Sequence, residues 1–172
     1  MEYQPELGWG MRTKLVSWIM QVHDQFKFSP ETLYITVNLI DRFLSSKSVS
    51  LSKLQLVGIS SLLVAAKYEE IQSPSIADLV YMVDGCYTAN EILDAEKYLL
   101  GVVKFQIGYP HPLNFIRKFA ITEKTTLELI QYFCTVTLLD EAFFRFPSSV
   151  IASSCVFLGM KVICDSQWVK YF

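Results

Sequence analysis

The stretch SKLQLVGISSLLVAAKYEE, residues 52–70, carries no charged side chain between Leu54 and Ala66. A helix lying on a protein surface shows an apolar stripe and a charged face opposite it. Here apolar or small residues surround the axis instead, so the segment reads as a helix with neighbours on every side. Gly58, Ser60, Ser61, Ala65 and Ala66 keep it thin, which lets other helices approach its backbone closely. A strand can also be apolar on both faces, but an unbroken run of this length favours helix. The charges gather at the ends, Lys53 before the run and Lys67, Glu69 and Glu70 after it. This segment is the expected axis of an all-α fold.

Upstream, a helical pattern runs from Trp9 or Met11 to about Phe26. Met11, Leu15, Trp18 and Val22 form one apolar stripe, and Val16, Ile19 and Phe26 form much of another. One stripe suffices to dock a helix on a core. Two mean either deep burial or a face reserved for another molecule, and spacing alone favours core. Ser29-Pro30-Glu31 has the composition of a helix start, with a capping hydroxyl, a Pro at the first helical position and an acid in the first turn. That helix is expected to run to about Ser45 with Leu33, Val37, Ile40 and Leu44 inward. Ser45–Ser50 then turns into the central helix.

Downstream, Gln72-Ser73-Pro74-Ser75 breaks the chain before a short helix through Leu79 and Met82, and Asp84-Gly85 marks a turn. Thr88-Ala89-Asn90-Glu91 is a capping box opening a helix to about Lys104, with Ile92, Ala95, Leu99, Leu100 and Val103 on its buried side. Five helices therefore precede Gly108-Tyr109-Pro110-His111-Pro112, the strongest break in the sequence and the expected boundary between units 1–109 and 110–172. Beyond it, helices are expected over Leu113–Ala120, Thr126–Phe144 and Pro147–Cys164, with something new starting at Ser166. Leu138-Leu139-Asp140 followed by a small-rich, uncharged run to Lys161 echoes Leu39-Ile40-Asp41 followed by the central run to Lys67. The echo points to two copies of one helical module, the second incomplete at its C-terminus.

Composition limits the function. Hydrophobic residues make up 52% of the 172, which excludes a disordered chain, and the net charge is -2 with no basic run. Nucleic-acid binding through phosphate neutralisation is therefore not expected. The apolar runs are too short or too broken by Pro and Ser to span a membrane. Cys86, Cys134, Cys155 and Cys164 lack C-x-x-C spacing and read as reduced core thiols of an intracellular protein. The opening MEYQPELGWGM has no basic lead before an apolar core, so no signal peptide is expected.

Catalytic chemistry is hard to find. His23 and His111, the two histidines, sit in no metal-binding or catalytic spacing, and no phosphate loop, nucleophile elbow or paired acidic motif occurs. No catalytic residue, metal or cofactor is expected, and the chain reads as a binding protein. Two features could carry binding. One is the stripe of Met11, Leu15 and Trp18. The other is the pair Lys67 and Glu96, each beside strongly apolar neighbours; pattern alone makes them solvated charges or a surface ion pair.

The runs Met11-Arg12-Thr13-Lys14-Leu15-Val16-Ser17-Trp18, Asn38-Leu39-Ile40-Asp41-Arg42-Phe43-Leu44-Ser45, Lys53-Leu54-Gln55-Leu56-Val57-Gly58 and Ala65-Ala66-Lys67-Tyr68-Glu69-Glu70-Ile71 share one character. With Val80-Tyr81-Met82-Val83-Asp84-Gly85 and Tyr109-Pro110-His111-Pro112-Leu113-Asn114-Phe115, they resemble the cyclins, most closely the B-type mitotic cyclins of fungal kind. The resemblance covers essentially the whole chain. It implies a five-helix cyclin box, a second and partial box, and a role as activating subunit of a cyclin-dependent Ser/Thr protein kinase at the G2/mitosis transition. It also implies action in nucleus and cytoplasm. Within it, Lys67 and Glu96 match the residues that grip the kinase's mobile helix, and Tyr68, Leu100 and Phe105 match the apolar part of that contact. Met11, Leu15 and Trp18, with Gln55 nearby, resemble a docking patch for substrate or inhibitor peptides carrying a basic residue and a Leu. This reverses the preference for core.

Departures from the family pattern accompany the match. Gln21 and Ser17 stand where acids are usual, which implies a weaker grip on a basic residue of the docking peptide. Arg12-Thr13-Lys14-Leu15 has an R-x-x-L form but lies inside a predicted helix, and no destruction box is expected within this stretch. Two alternatives remain at this stage: a shortened chain that binds a kinase without activating it, and a transcription-type member of the same fold.

Overall fold

The computed structural model describes residues 4–119, 121 and 123–168, with side chains as far as Ile163. The chain divides into two compact units, Met1–Tyr109 and Pro110–Phe172. Among the described residues every regular element is helical.

In the first unit, α1 (Trp9–Phe26), α2 (Pro30–Ser46), α3 (Leu54–Glu69), α4 (Ile76–Met82) and α5 (Ala89–Val102) follow in order. Every residue of α3 from Leu56 to Ala66 is buried, and α2, α5 and α1 all pack on it. A charge anywhere in that run would be stranded in an apolar interior. Thinness matters as much as apolarity. A Cβ on Gly58 would lie 2.8 Å from Leu15 Cδ1 and 3.4 Å from Ile19 Cδ1, so α1 reaches α3 where α3 has no side chain.

The inward residues expected of α2, namely Leu33, Val37, Ile40 and Leu44, are all buried. On α1, Leu15, Val16, Ile19 and Val22 are buried, while Met11, Trp18 and Phe26 stay half-exposed. Arg12 shares the inward face of α1 and is only 2% exposed. Its guanidinium donates from Nε and Nη2 to the two carboxylate oxygens of Asp41, at 2.7 and 2.8 Å. Removing one partner of such a pair strands the other charge and costs about 3–5 kcal/mol. Burial pushes the Asp41 carboxyl up, and Arg12 opposes the rise without cancelling it.

Two helix starts behave differently from each other. Thr88 forms its capping box with Glu91 through hydroxyl and carboxylate. Ser29 does not cap α2 with its hydroxyl. Its Oγ and backbone N–H both donate to Glu70 Oε1, at 3.0 and 2.7 Å. A carboxylate is a stronger acceptor than a neutral oxygen, and the hydroxyl turns outward to it.

The second unit contains α6 (Pro112–Ile116), α7 (Lys124–Val136) and α8 (Ser148–Trp168), with α8 packed on α6 and α7. α7 ends earlier than its apolar pattern suggests. Thr137 Oγ1 donates to the carbonyl of Cys134, and the Asp140 carboxylate caps a 3-10 turn over Glu141–Arg145 by accepting from the Ala142 amide at 2.8 Å. α8 continues through Ser166, where a new element was expected, because no Pro interrupts it. Cys134 and Cys155 are reduced and buried, but Cys86 is exposed; the Cys164 side chain and residues 169–172 lie outside the described residues.

These contacts predict opposite effects for two glycine substitutions. Gly58→Val forces a branched side chain against Leu15 and Ile19 and should destabilise by about 2 kcal/mol. Gly101→Ala, at a helical site with open space around it, should stabilise by about 0.5–1 kcal/mol. Urea denaturation measures both.

Candidate functional site

α3 is neutral along its buried length, so its chemistry sits at its C-terminal end. Lys67 lies in the last turn, where a cation meets the negative end of the helix dipole. Its Nζ donates to both oxygens of Glu96 on α5, at 2.7 and 2.8 Å. The Glu96 side chain is 11% exposed and that of Lys67 44%. The pair is therefore asymmetric: a nearly buried carboxylate covered by a more exposed ammonium.

Apolar surface surrounds it. Tyr68 is 54% and Phe105 71% exposed, and Ile71 is fully exposed. Leu100, one turn beyond Glu96 on the same side of α5, is half-buried. A Cβ on Gly108 would lie 2.6 Å from the Tyr68 hydroxyl. The end of α3 thus rests against the segment leaving α5. Lys67 and Tyr68 end α3, Glu96 and Leu100 lie on α5, and Phe105 stands in the turn after it. Ile71 was not singled out from sequence, although its place four residues after Lys67 was a usable signal.

The turn that presents Phe105 is unusual. Lys104 and Phe105 have φ of 54° and 56°, and two consecutive left-handed residues that are not glycine cost roughly 1 kcal/mol or more each. Three bonds close the turn: Lys104 N–H to Gly101, Phe105 N–H to Leu100 and Gln106 N–H to Val103. From α2, Arg42 donates to the carbonyls of Val103 and Gln106. Further on, the Tyr109 hydroxyl donates to the Tyr34 carbonyl at 3.1 Å. Burial, and then the negative charge of Asp41, push that phenol far up, so it stays a donor.

The same C-terminal end of α3 is held by a second network at its cap residue Glu70. Glu70 Oε1 accepts from the Ser29 amide and hydroxyl and from the Thr32 hydroxyl, while His23 Nε2 bonds the Ser29 carbonyl at 2.8 Å. Desolvation is the largest influence on the Glu70 carboxyl and raises it. The hydrogen bonds from Thr32 and Ser29, with the charge of His23, outweigh it together, and the net shift is downward.

A second face lies at the N-terminal end of α3. Met11, Lys14, Leu15, Trp18, Leu51, Leu54 and Gln55 line an open cleft of about 400 Å³. The structure therefore brings Met11, Leu15, Trp18 and Gln55 into one groove. Leu51, exposed on the 3-10 turn before α3, and Leu54 join them and were not anticipated. The one ionic side chain in the lining is Lys14. Leu15 has a double role, since it packs on Gly58 on one side and floors the groove on the other.

Comparison with known families matches the description "Cyclin, N-terminal domain" over residues 1–108 and "Cyclin, C-terminal domain" over 110–171. The chain belongs to the cyclin family. Similar curated relatives are the G2/mitotic-specific cyclin cig2 of Schizosaccharomyces pombe, 44% identical over 98% of this chain and 42% of that protein, and the G2/mitotic-specific cyclin-3 of Saccharomyces cerevisiae, 42% identical over 98% and 40%. This cyclin thus spans about two-fifths of the length of these relatives. Among solved structures, a viral cyclin from herpesvirus saimiri superposes with TM-score 0.86 at 20% identity, over 94% of this chain and 73% of that one. A chain of the CAK complex of Chaetomium thermophilum follows with TM-score 0.66 at 19% identity, over 91% and 53%. The likeness to the viral cyclin establishes the cyclin fold.

The Glu70 network yields a pH prediction. Its carboxyl is lowered from the ordinary 4.5 on folding, so its contribution is complete above that value and is lost as pH falls through the depressed one. Glu70→Gln should cost about 1 kcal/mol at pH 7, the size of a lost cap. The gap from wild type should close toward pH 3 in urea melts. Asp41, shifted the other way, is common to both proteins and cancels.

Proposed function

We propose that this cyclin is the activating subunit of a cyclin-dependent Ser/Thr protein kinase acting at the G2/mitosis transition. The observation that carries the proposal is the Lys67–Glu96 pair with its exposed apolar surround. Tyr68, Phe105 and Ile71 stand in water beside the pair, where a partner helix would cover them. The kinship to G2/mitotic-specific cyclins supports the cell-cycle stage.

The mechanism follows from population shift. A protein kinase is competent when its own active-site Lys–Glu pair is closed, which requires its mobile helix to be swung inward. A rigid surface that binds only the inward state draws the population toward it. Lys67 is suited to this contact because it can leave Glu96 for a carbonyl at the end of the kinase helix. Glu96 keeps the ammonium in place until then. ATP and the chemistry belong to the kinase.

The groove of Met11, Leu15, Trp18 and Gln55 serves as a separate dock for an extended segment of substrate or inhibitor. Apolar side chains hold a Leu, and Gln55 offers hydrogen bonds to the peptide backbone. The family expectation adds a basic residue to that segment. With Lys14 the one ionic lining residue and neutral Ser17 and Gln21 on the same helix, the Leu supplies most of the affinity.

The two faces are separable by experiment. Lys67→Ala and Glu96→Ala should each weaken binding to a purified mitotic cyclin-dependent kinase by tenfold or more, about 1.4 kcal/mol or above. Trp18→Ala should leave that affinity within about twofold. It should slow phosphorylation of a substrate bearing a Leu docking segment while sparing one without it. Unchanged kinase binding in Lys67→Ala and Glu96→Ala would remove the assignment of the first face.

A further inference from the structure

A large apolar side chain exposed on a backbone that L-residues avoid calls for a reason. Phe105 is 71% exposed and sits with Lys104 in the left-handed region. Helices that end this way place Gly or Asn at the left-handed position; here Gly101 comes too early and the two positions hold Lys and Phe. Backbone strain of this kind persists only where the surroundings over-determine it.

The surroundings that do so reach in from α2. Arg42 Nη2 donates to the Val103 carbonyl at 3.2 Å, and Nη1 donates to the Gln106 carbonyl. These two carbonyls bracket the strained pair, one on each side. They also lie at the C-terminal end of α5, where the helix dipole favours a cation. A guanidinium fork spans two acceptors with one rigid group, which a lysine ammonium cannot do. The base of Arg42 is itself fixed. Asp41 before it is clamped by buried Arg12, Phe43 after it is in the core, and Tyr109 ties the same segment to Tyr34 four residues beyond the turn.

We infer that Arg42 is a positioning residue of the kinase contact: it holds the Lys104–Phe105 turn in its strained form so that Phe105 stands outward as a preformed anchor. The inference rests on the kinase reading above. Preforming the anchor removes the ordering cost that a mobile Phe would incur on binding. Arg42 needs no contact with the kinase for this, and its effect passes through Phe105 alone. Gly at position 104 would adopt the left-handed conformation without help, making the clamp partly redundant.

A double-mutant cycle on the full chain, read as affinity for a purified mitotic cyclin-dependent kinase, tests this. Arg42→Ala should weaken binding about tenfold, and Phe105→Ala at least as much. Arg42→Ala added to Phe105→Ala should cost less than about twofold more. Lys104→Gly added to Arg42→Ala should recover most of the affinity. Arg42→Lys, which keeps the charge and should preserve folding, is expected to lose about threefold to tenfold and covers the case in which Arg42→Ala does not fold. Full additivity of the Arg42 and Phe105 losses would show a general structural role and overturn the inference. Wild-type affinity in Arg42→Ala or Arg42→Lys, alongside a loss in Phe105→Ala, would overturn it while leaving the kinase face intact. No loss in Phe105→Ala would remove Phe105 from the kinase face, and the inference with it.

Discussion

The enclosure of α3 on all sides is the constraint from which the rest of the first unit follows. A helix without a solvent face has no room for charge along its length, so Lys67, Glu69 and Glu70 collect at its end. It must also be thin enough for three helices to reach it, which is why α1 meets α3 at Gly58. The neighbours are then locked to one another. Arg12 and Asp41 join α1 to α2, Glu70 joins the end of α3 to the start of α2, and Arg42 joins α2 to the end of α5. Each tie crosses between elements at a charge that the apolar core cannot accommodate elsewhere.

Both proposed binding faces arise as edges of this arrangement. Where α3 and α5 end together, charges and aromatic rings that the core excludes are left side by side, and the Lys67–Glu96 pair is the result. Where α1 crosses α3, Gly58 lets Leu15 sit deep, and Leu15 becomes the floor of a groove that Trp18 and Leu51 also line. The rigidity that stabilises the unit also fixes the shape of both surfaces. On the proposed reading, a fixed surface favours the one partner conformation that it fits.

How much of this was legible depends on the range of the interaction. The all-helical fold and the central place of α3 are written in local pattern, as are the capping box at Thr88 and the inward residues of α2. Partners distant in the chain were not. Ser29 reads as a cap because nothing nearby reveals Glu70, forty-one residues on. Arg12 is three, four and seven residues from Leu15, Val16 and Ile19, so a charge on an inward stripe was visible, but not that Asp41 would neutralise it. The early end of α7 was missed because its apolar pattern continues through a 3-10 turn. Spacing alone left Lys67 and Glu96 as ordinary surface charges and the α1 stripe as core; the family resemblance singled them out, and the fold gives their geometry. The Lys104–Phe105 turn could not be read at all, since neither residue type announces a positive φ.

The central claim is that this chain turns a kinase on by binding its active conformation. The most direct measurement is the rate at which a purified mitotic cyclin-dependent kinase phosphorylates a histone-like substrate, with and without saturating chain. If the kinase alone is about 1% in its active form, capture of that form predicts a gain of about a hundredfold. A complex that forms without any gain in rate would contradict the claim, as would no complex at all from chain shown to be folded.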